Sequence, residues 1–188
     1  MSPTFNGNTT SYTCTVENNV TETTVTAIAT SSVATVSGAG TKQLAVGTNT
    51  INITVTSQSG SIKTYQVVVT RKASSDATLK SLTVSNGTLT PEFDGSKTEY
   101  TVSVPYNVST VTVAGAANSS EATVTGAGSK SLTVGANTIT VTVTAGDKTE
   151  KTYTITITRE KDTDNTLKSL NLTSCRKKCN RSKSNSRR

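Results

Sequence analysis

The sequence predicts an all-β protein built from tandem antiparallel β-sandwiches, and three observations carry that prediction. Apolar and polar residues alternate strictly over short runs, which puts one face of each run in a core and the other in water. Val, Ile and Thr dominate these runs, and β-branched residues suit pleated surfaces; no helical periodicity is present. The chain also repeats itself. Shifted by 88 positions, which carries Pro3 onto Pro91, it aligns without a gap.

The repeat spans most of the chain. "SPTFNGNTTSYT" (Ser2 to Thr13) falls on "TPEFDGSKTEYT" (Thr90 to Thr101), and "ATVSGAGTKQLAVGTNTINITVT" (Ala34 to Thr56) falls on "ATVTGAGSKSLTVGANTITVTVT" (Ala122 to Thr144). "KTYQVVVTR" (Lys63 to Arg71) then falls on "KTYTITITR" (Lys151 to Arg159). A fixed period of this length marks an array of similar modules. The expected organisation is a first module over 1–72 that lacks its first strand, a complete module over 73–160, and over 161–188 the first strand of a third repeat followed by a basic tail.

Within the complete module the elements follow in order. "TLKSLTVSNG" (Thr78 to Gly87) opens it, with a strand over Leu79 to Ser85 and a turn at Asn86-Gly87. Strands over Glu99 to Val104, Thr110 to Ala114, Glu121 to Thr125 and Lys130 to Val134 come next, with the turn "TGAG" (Thr125 to Gly128) between the last two. In "NTITVTVTA" (Asn137 to Ala145), Ile139, Val141 and Val143 share one face and the threonines the other. The turn "AGDKT" (Ala145 to Thr149) leads into "YTITIT" (Tyr153 to Thr158), where Tyr153, Ile155 and Ile157 face inward. About seven short strands, each with one buried face, read as a sandwich. The linkers "KASSDA" (Lys72 to Ala77) and "EKDTDN" (Glu160 to Asn165) are short and polar, so successive sandwiches should lie end to end with limited bending.

Composition narrows the function classes. Hydrophobic residues make up only 32% and aromatics 4%, but the β-branched bias argues against disorder. The net charge of +7 belongs to the end of the chain: "RKKCNRSKSNSRR" (Arg176 to Arg188) carries seven Lys or Arg and no acid, which leaves twelve of each sign in residues 1–175. The tail has no aromatics to stack on bases, and it reads as a disordered or non-native terminus, with no nucleic-acid partner. Cys14 stands where the second repeat has Val102, between Tyr12 and Val16 on one strand face, and reads as a small buried hydrophobe. Cys175 and Cys179 without any histidine make a poor zinc set. No apolar stretch is long enough to span a membrane.

The motifs as a set resemble a known family. The Leu-x-x-Leu opening (Leu79, Leu82), Pro-x-Phe (Pro91, Phe93), Tyr-Thr-Val (Tyr100 to Val102), Gly-x-Asn-Thr-Ile (Gly135 to Ile139) and the closing Tyr-x-Ile-x-Ile-x-Arg (Tyr153 to Arg159) occur in order. Together they are similar to the bacterial cadherin-like β-sandwich repeat, an Ig-like module found in tandem in secreted and cell-surface proteins. The resemblance covers residues 1–173. It implies an extracellular or cell-wall-associated stalk or adhesion module with no catalytic site.

A search for chemistry agrees. Without histidine the usual triads and imidazole bases are unavailable, and only Asp76 and Asp164 recur among the acids, both at linker ends. "DTDN" (Asp162 to Asn165) has calcium-ligand types, but its counterpart "SSDA" (Ser74 to Ala77) keeps only Asp76, far from the carboxylate set such a site gathers. "GAG" (Gly38 to Gly40, Gly126 to Gly128) lacks the Lys-Ser/Thr ending of a phosphate loop and reads as a hairpin turn. No catalytic, cofactor or metal residue is therefore assigned.

Two functions follow as expectations. The first is a non-catalytic spacer that presents other domains on a bacterial surface, with neighbouring repeats as its partners. The second is a carbohydrate- or matrix-binding repeat, for a surface glycan or protein ligand. It is centred on Tyr106, the one tyrosine without a counterpart (its equivalent is Asn18), and on the loops Tyr106 to Ser109 and Asn118 to Glu121. The first module lacks a strand and the chain carries a spare copy of it (Leu167, Leu170, Leu172), so head-to-tail strand exchange between chains is also expected.

Overall fold

A computed structural model describes residues 1–171. The basic tail with Cys175 and Cys179, and Leu172 of the spare strand, lie outside the described residues. The first repeat contains β1 (Ser11–Val16), β2 (Glu22–Val25), β3 (Thr35–Ser37), β4 (Gly40–Gln43), β5 (Gly47–Thr56) and β6 (Ile62–Arg71). The second contains β7 (Leu79–Val84), β8 (Glu99–Val104), β9 (Thr110–Ala117), β10 (Thr123–Thr125), β11 (Gly128–Ser131), β12 (Gly135–Thr144) and β13 (Glu150–Arg159). Among the described residues there is no helix.

Each repeat packs two sheets face to face. In the second repeat a four-stranded sheet, β10-β12-β13-β8, faces a three-stranded one, β11-β9-β7. In the first, the sheet β1-β6-β5-β3 faces a two-stranded sheet, β2-β4. The alternation places Ile139, Val141 and Val143 of β12 and Tyr153, Ile155 and Ile157 of β13 in one buried cluster with Leu79, Leu82 and Val84 of β7. Burying each of those three side chains stabilises the fold by roughly 1.5–3 kcal/mol.

One feature of the sheets corrects the purely antiparallel expectation. β8 lies parallel to β13, with Glu99 opposite Thr154 and Val104 opposite Arg159, and β1 lies parallel to β6 in the same way. Alternation has period two in either direction and cannot distinguish them. The direction follows from connectivity, because β8 and β13 are joined by a long excursion through the opposite sheet rather than by a hairpin.

Strand ends also shift for local reasons. β9 continues to Ala117 instead of Ala114, since Gly115, Ala116 and Ala117 pair with β7, with Leu82 opposite Gly115 and Leu79 opposite Ala117. These residues are small because the two leucines lie over them; a Cβ at Gly115 would sit 3.4 Å from Leu79. β10 begins at Thr123, two residues late, because Glu121 turns toward the linker.

Two repeated motifs have clear physical work. Gly38 and Gly126 sit at φ 85° and 81°, where a Cβ would strike the carbonyls of Asn52 and Thr140; only glycine fits these hairpins. Asn137 accepts the Thr133 N–H at 2.9 Å and donates to the carbonyls of Thr133, Gly135 and Ile157 at 2.8, 2.9 and 3.2 Å. Asn49 makes the equivalent bonds to Ala45, Gly47 and Val69. The asparagine of Gly-x-Asn-Thr-Ile thus ties the loop before β12 to β13.

Cys14 is half-buried, not fully buried as read from the sequence, whereas Val102 is 3% exposed. In the second repeat Gly87, just after β7, lies so close over Val102 that a Cβ would collide with it. No described segment covers Cys14 in that way.

Replacing Asn137 with Ala removes these bonds and leaves partly buried backbone groups without them. Asn137→Ala is expected to destabilise the second repeat by about 1–3 kcal/mol, read as a lower urea midpoint with an unchanged slope.

Candidate functional site at the repeat joint

The linker is held by turn chemistry and by side chains from both repeats. Asp76 Oδ1 accepts the Thr78 hydroxyl at 2.6 Å and the Thr78 N–H at 2.9 Å, while Oδ2 accepts from Asn118 Nδ2 at 2.7 Å. These bonds from the Thr78 hydroxyl, Asn118 and the Thr78 amide lower the Asp76 pKa. Asp164 caps Thr166 in the same manner, at 2.6 Å to its hydroxyl and 2.8 Å to its amide. The recurring aspartate is therefore a turn former that aims the chain into the strand that follows.

Between the repeats, Glu121 is the hub. Its Oε1 accepts from Asn18 Nδ2 at 2.8 Å, and its Oε2 accepts the Ser74 N–H at 2.9 Å. Asn18 Nδ2 also donates to the Lys72 carbonyl at 3.0 Å, and the Asp147 N–H donates to the Ser74 carbonyl at 3.0 Å. Ser74, in mid-linker, is consequently 7% exposed. Arg71 fixes Asn18 from behind, donating from Nε to its carbonyl at 2.8 Å and from Nη1 to the Leu44 carbonyl at 2.9 Å. Gly146 leaves room for the carboxylate, since a Cβ there would lie 2.8 Å from Glu121 Oε2. An exposed Lys72–Glu17 ion pair at 2.6 Å flanks the joint and adds little.

Hydrogen bonds from Asn18 and the Ser74 amide, then the charge of Arg71, lower the Glu121 pKa. Both oxygens of Glu121 and both of Asp76 accept hydrogen bonds, which hold the two carboxylates in place. Among the described residues no group of three or more His, Cys, Asp or Glu converges on a metal position. The arrangement is mechanical: it joins two sandwiches across a six-residue linker.

Tyr106 lies at the other end of the second repeat. It is 42% exposed, and the Arg159 guanidinium sits 5.0 Å from its ring centroid. Arg159 also donates to the Tyr106 carbonyl from Nε at 2.9 Å and Nη2 at 2.7 Å. The loops Tyr106 to Ser109 and Asn118 to Glu121, grouped on sequence, flank opposite ends of the eight-residue β9, a separation of about 25 Å. The structure does not bring them together. Sequence reasoning missed Asn18 and Glu121 as a pair; the available signal was that both break the repeat, with Tyr106 and Val33 as their counterparts.

The sign of the Glu121 shift gives a pH dependence. A carboxylate with a lowered pKa in the folded protein contributes above its unfolded value and loses that contribution as pH falls. At pH 7 the two repeats should report one common alignment in residual dipolar couplings. As the pH falls below the ordinary glutamate range and through the lowered value of Glu121, or in Glu121→Ala at any pH, they should report two. A common alignment in Glu121→Ala would show that the joint does not depend on this carboxylate.

The family described as "Cadherin-like beta sandwich domain" matches residues 1–72 and 79–160. No curated protein matches the sequence. Among solved structures, the chain is similar to Protocadherin Gamma B2 extracellular cadherin domains 3-6 (9% identity, TM-score 0.34, covering 79% of this chain and 45% of that one). It is also similar to the Protocadherin GammaB4 extracellular domain (13% identity, TM-score 0.29, 80% and 32%). A third is the set of fibronectin(III)-like modules of Clostridium thermocellum CbhA (15% identity, TM-score 0.24, 64% and 67%). The chain spans less than half the length of these protocadherin fragments. With both repeats matched, the chain belongs to the cadherin-like β-sandwich domain family.

Proposed function

We propose that the chain is a non-catalytic structural and adhesion module of a bacterial cell-surface or secreted protein, acting outside the cell as a spacer that presents other domains. The joint carries this reading. Glu121, Asn18 and Ser74 lock the linker through bonds that use side chains of one repeat to hold the other, which limits bending between modules. The faces away from the core are lined with threonine, including the cross-strand pairs Thr54–Thr64 at 3.4 Å and Thr142–Thr152 at 3.2 Å. Such faces tolerate solvent without offering an apolar ligand patch.

The same reading assigns each repeat its own sandwich, with the division at 1–72, 73–160 and 161–188. Residues 73–160 expressed alone should melt cooperatively with sheet-type circular dichroism; a non-cooperative or helical signal would reject the division.

The glycan- or matrix-binding alternative rests on the partial exposure of Tyr106 and its Arg159 partner. A glycan array and a cell-wall pull-down separate the two functions. The spacer reading expects no signal from the wild type. A specific signal that disappears in Tyr106→Ala would replace it with the binding reading.

A further inference from the structure

The two repeats build the faces that a joint uses on the same backbone. The turn that carries Asn18 closes with the Val20 N–H on the Glu17 carbonyl at 3.1 Å, and the turn that carries Tyr106 closes with Val108 on Pro105 at 3.0 Å. Arg71 and Arg159 clamp those two residues by their carbonyls. The linkers match as well: Ser74 Oγ accepts the Asp76 N–H at 3.2 Å, and Asp162 Oδ1 accepts the Asp164 N–H at 2.9 Å. On the face that receives a linker, the turns beside Val33 and Glu121 both close at 3.2 Å, with Ala34 on Ser31 and Ala122 on Ser119. The turns of Gln58 and Gly146 close at 2.9 Å and 3.0 Å, with Gly60 on Ser57 and Lys148 on Ala145.

On this common frame the side chains that meet at the joint are the ones that change. Asn18 and Ser74 of the departing end have Tyr106 and Asp162 as counterparts, and Glu121 and Gly146 of the receiving start have Val33 and Gln58. We infer that these four positions select which repeat can follow which. An end of the Asn18 type locks onto a start with a carboxylate at the position of Glu121 and a glycine at that of Gly146. The inference deepens the spacer reading and rests on its rigid joint.

The chemistry of the lock excludes the other combinations. Asn18 Nδ2 and the Ser74 N–H both donate to Glu121, so a start with valine there, as at Val33, leaves both donors without their acceptor. Glycine goes with the carboxylate, because a Cβ at position 146 would lie 2.8 Å from Glu121 Oε2 and 3.4 Å from the Ala73 Cβ. An end of the second repeat's type fails on the other side. Tyr106 has no amide to offer, and Asp162 and Glu160 stand where the first repeat has Ser74 and Lys72. A Glu121 start would meet two carboxylates in place of a hydroxyl and an ammonium, and like charges repel. Of the four end-to-start pairings that two repeats allow, one forms this lock, and it is the one in the structure.

Residual dipolar couplings of the full chain at neutral pH test the selection. Every change installs a residue that the other repeat already carries on the same turn, so both sandwiches should be retained. The wild type should report one common alignment. Glu121→Val/Gly146→Gln, which gives the second repeat the start of the first, should report two. Asn18→Tyr/Ser74→Asp, which gives the first repeat the end of the second, should also report two. Asp147→Ser is the matching exchange toward Ser59, but Asp147 gives the joint only its N–H, to the Ser74 carbonyl at 3.0 Å, so this variant should keep one alignment. Should the chemical shifts of a double variant show a disturbed sandwich, Glu121→Val or Asn18→Tyr alone carries that arm. A common alignment in either exchanged variant overturns the selection and leaves the spacer reading standing. Two alignments in Asp147→Ser overturn it as well, because the joint would then respond to changes outside the four positions. Two alignments in the wild type overturn the selection and the rigid joint together.

Discussion

The second repeat is closed at the Tyr153 hydroxyl, which donates to the Gly95 carbonyl and accepts the Leu79 N–H while its ring is fully buried. A hydroxyl carried into a core must find partners there, because one left without them costs the fold more than the bond itself contributes. Tyr153 meets that demand by tying three segments together: β13, the turn before β8 and the opening strand β7. Much of the surrounding sequence follows from this arrangement. Gly95 has no side chain because the Leu79 carbonyl passes over it, and Gly115 is bare because Leu79 and Leu82 lie against it.

Among the described residues, no strand takes the place of β7 in the first repeat. Tyr65 keeps its bond to Gly7, and the central strands β5 and β6 keep their full ten-residue pairing. The loss is confined to one side. Val25, Val55 and Tyr65 are only partly buried, whereas Val113, Val143 and Tyr153 are at most 1% exposed. The large sheet therefore does not depend on the opening strand for its hydrogen bonds. The core does depend on it for exclusion of water, and hydrophobic stabilisation scales with the area so removed.

How much of this was legible in the sequence depends on whether a feature repeats. The alternation in β12 and β13, the Gly126 hairpin and the Asn137 motif all recur, and all could be placed in order before the structure was known. Parallel pairing of β8 with β13 could not, because a period of two is blind to strand direction. The depth of Cys14 was misjudged because position along a strand says which face a residue occupies but not whether anything covers that face. The joint was hidden for a different reason. Asn18 and Glu121 are 103 residues apart, and neither matches its counterpart in the other repeat, so aligning the copies treats both as noise.

That division has a physical basis. A β-sandwich needs the same residues in every copy, since each copy solves the same packing problem. A joint links the end of one copy to the start of another, so its residues occupy non-equivalent positions and are free to differ. Arg71 and Arg159 illustrate both sides. Each guanidinium clamps the backbone carbonyl of the same position in its repeat, Asn18 or Tyr106, and a second carbonyl at Leu44 or Leu132. The clamp is common to both repeats, but what it presents is not. In the first repeat it presents a primary amide, which seeks an acceptor and finds the Glu121 carboxylate. In the second it presents an aromatic ring with a cation 5.0 Å from its centroid. Any surface meeting that end encounters a half-exposed π face already paired with charge, so one scaffold position yields two chemically distinct ends from a single substitution between copies.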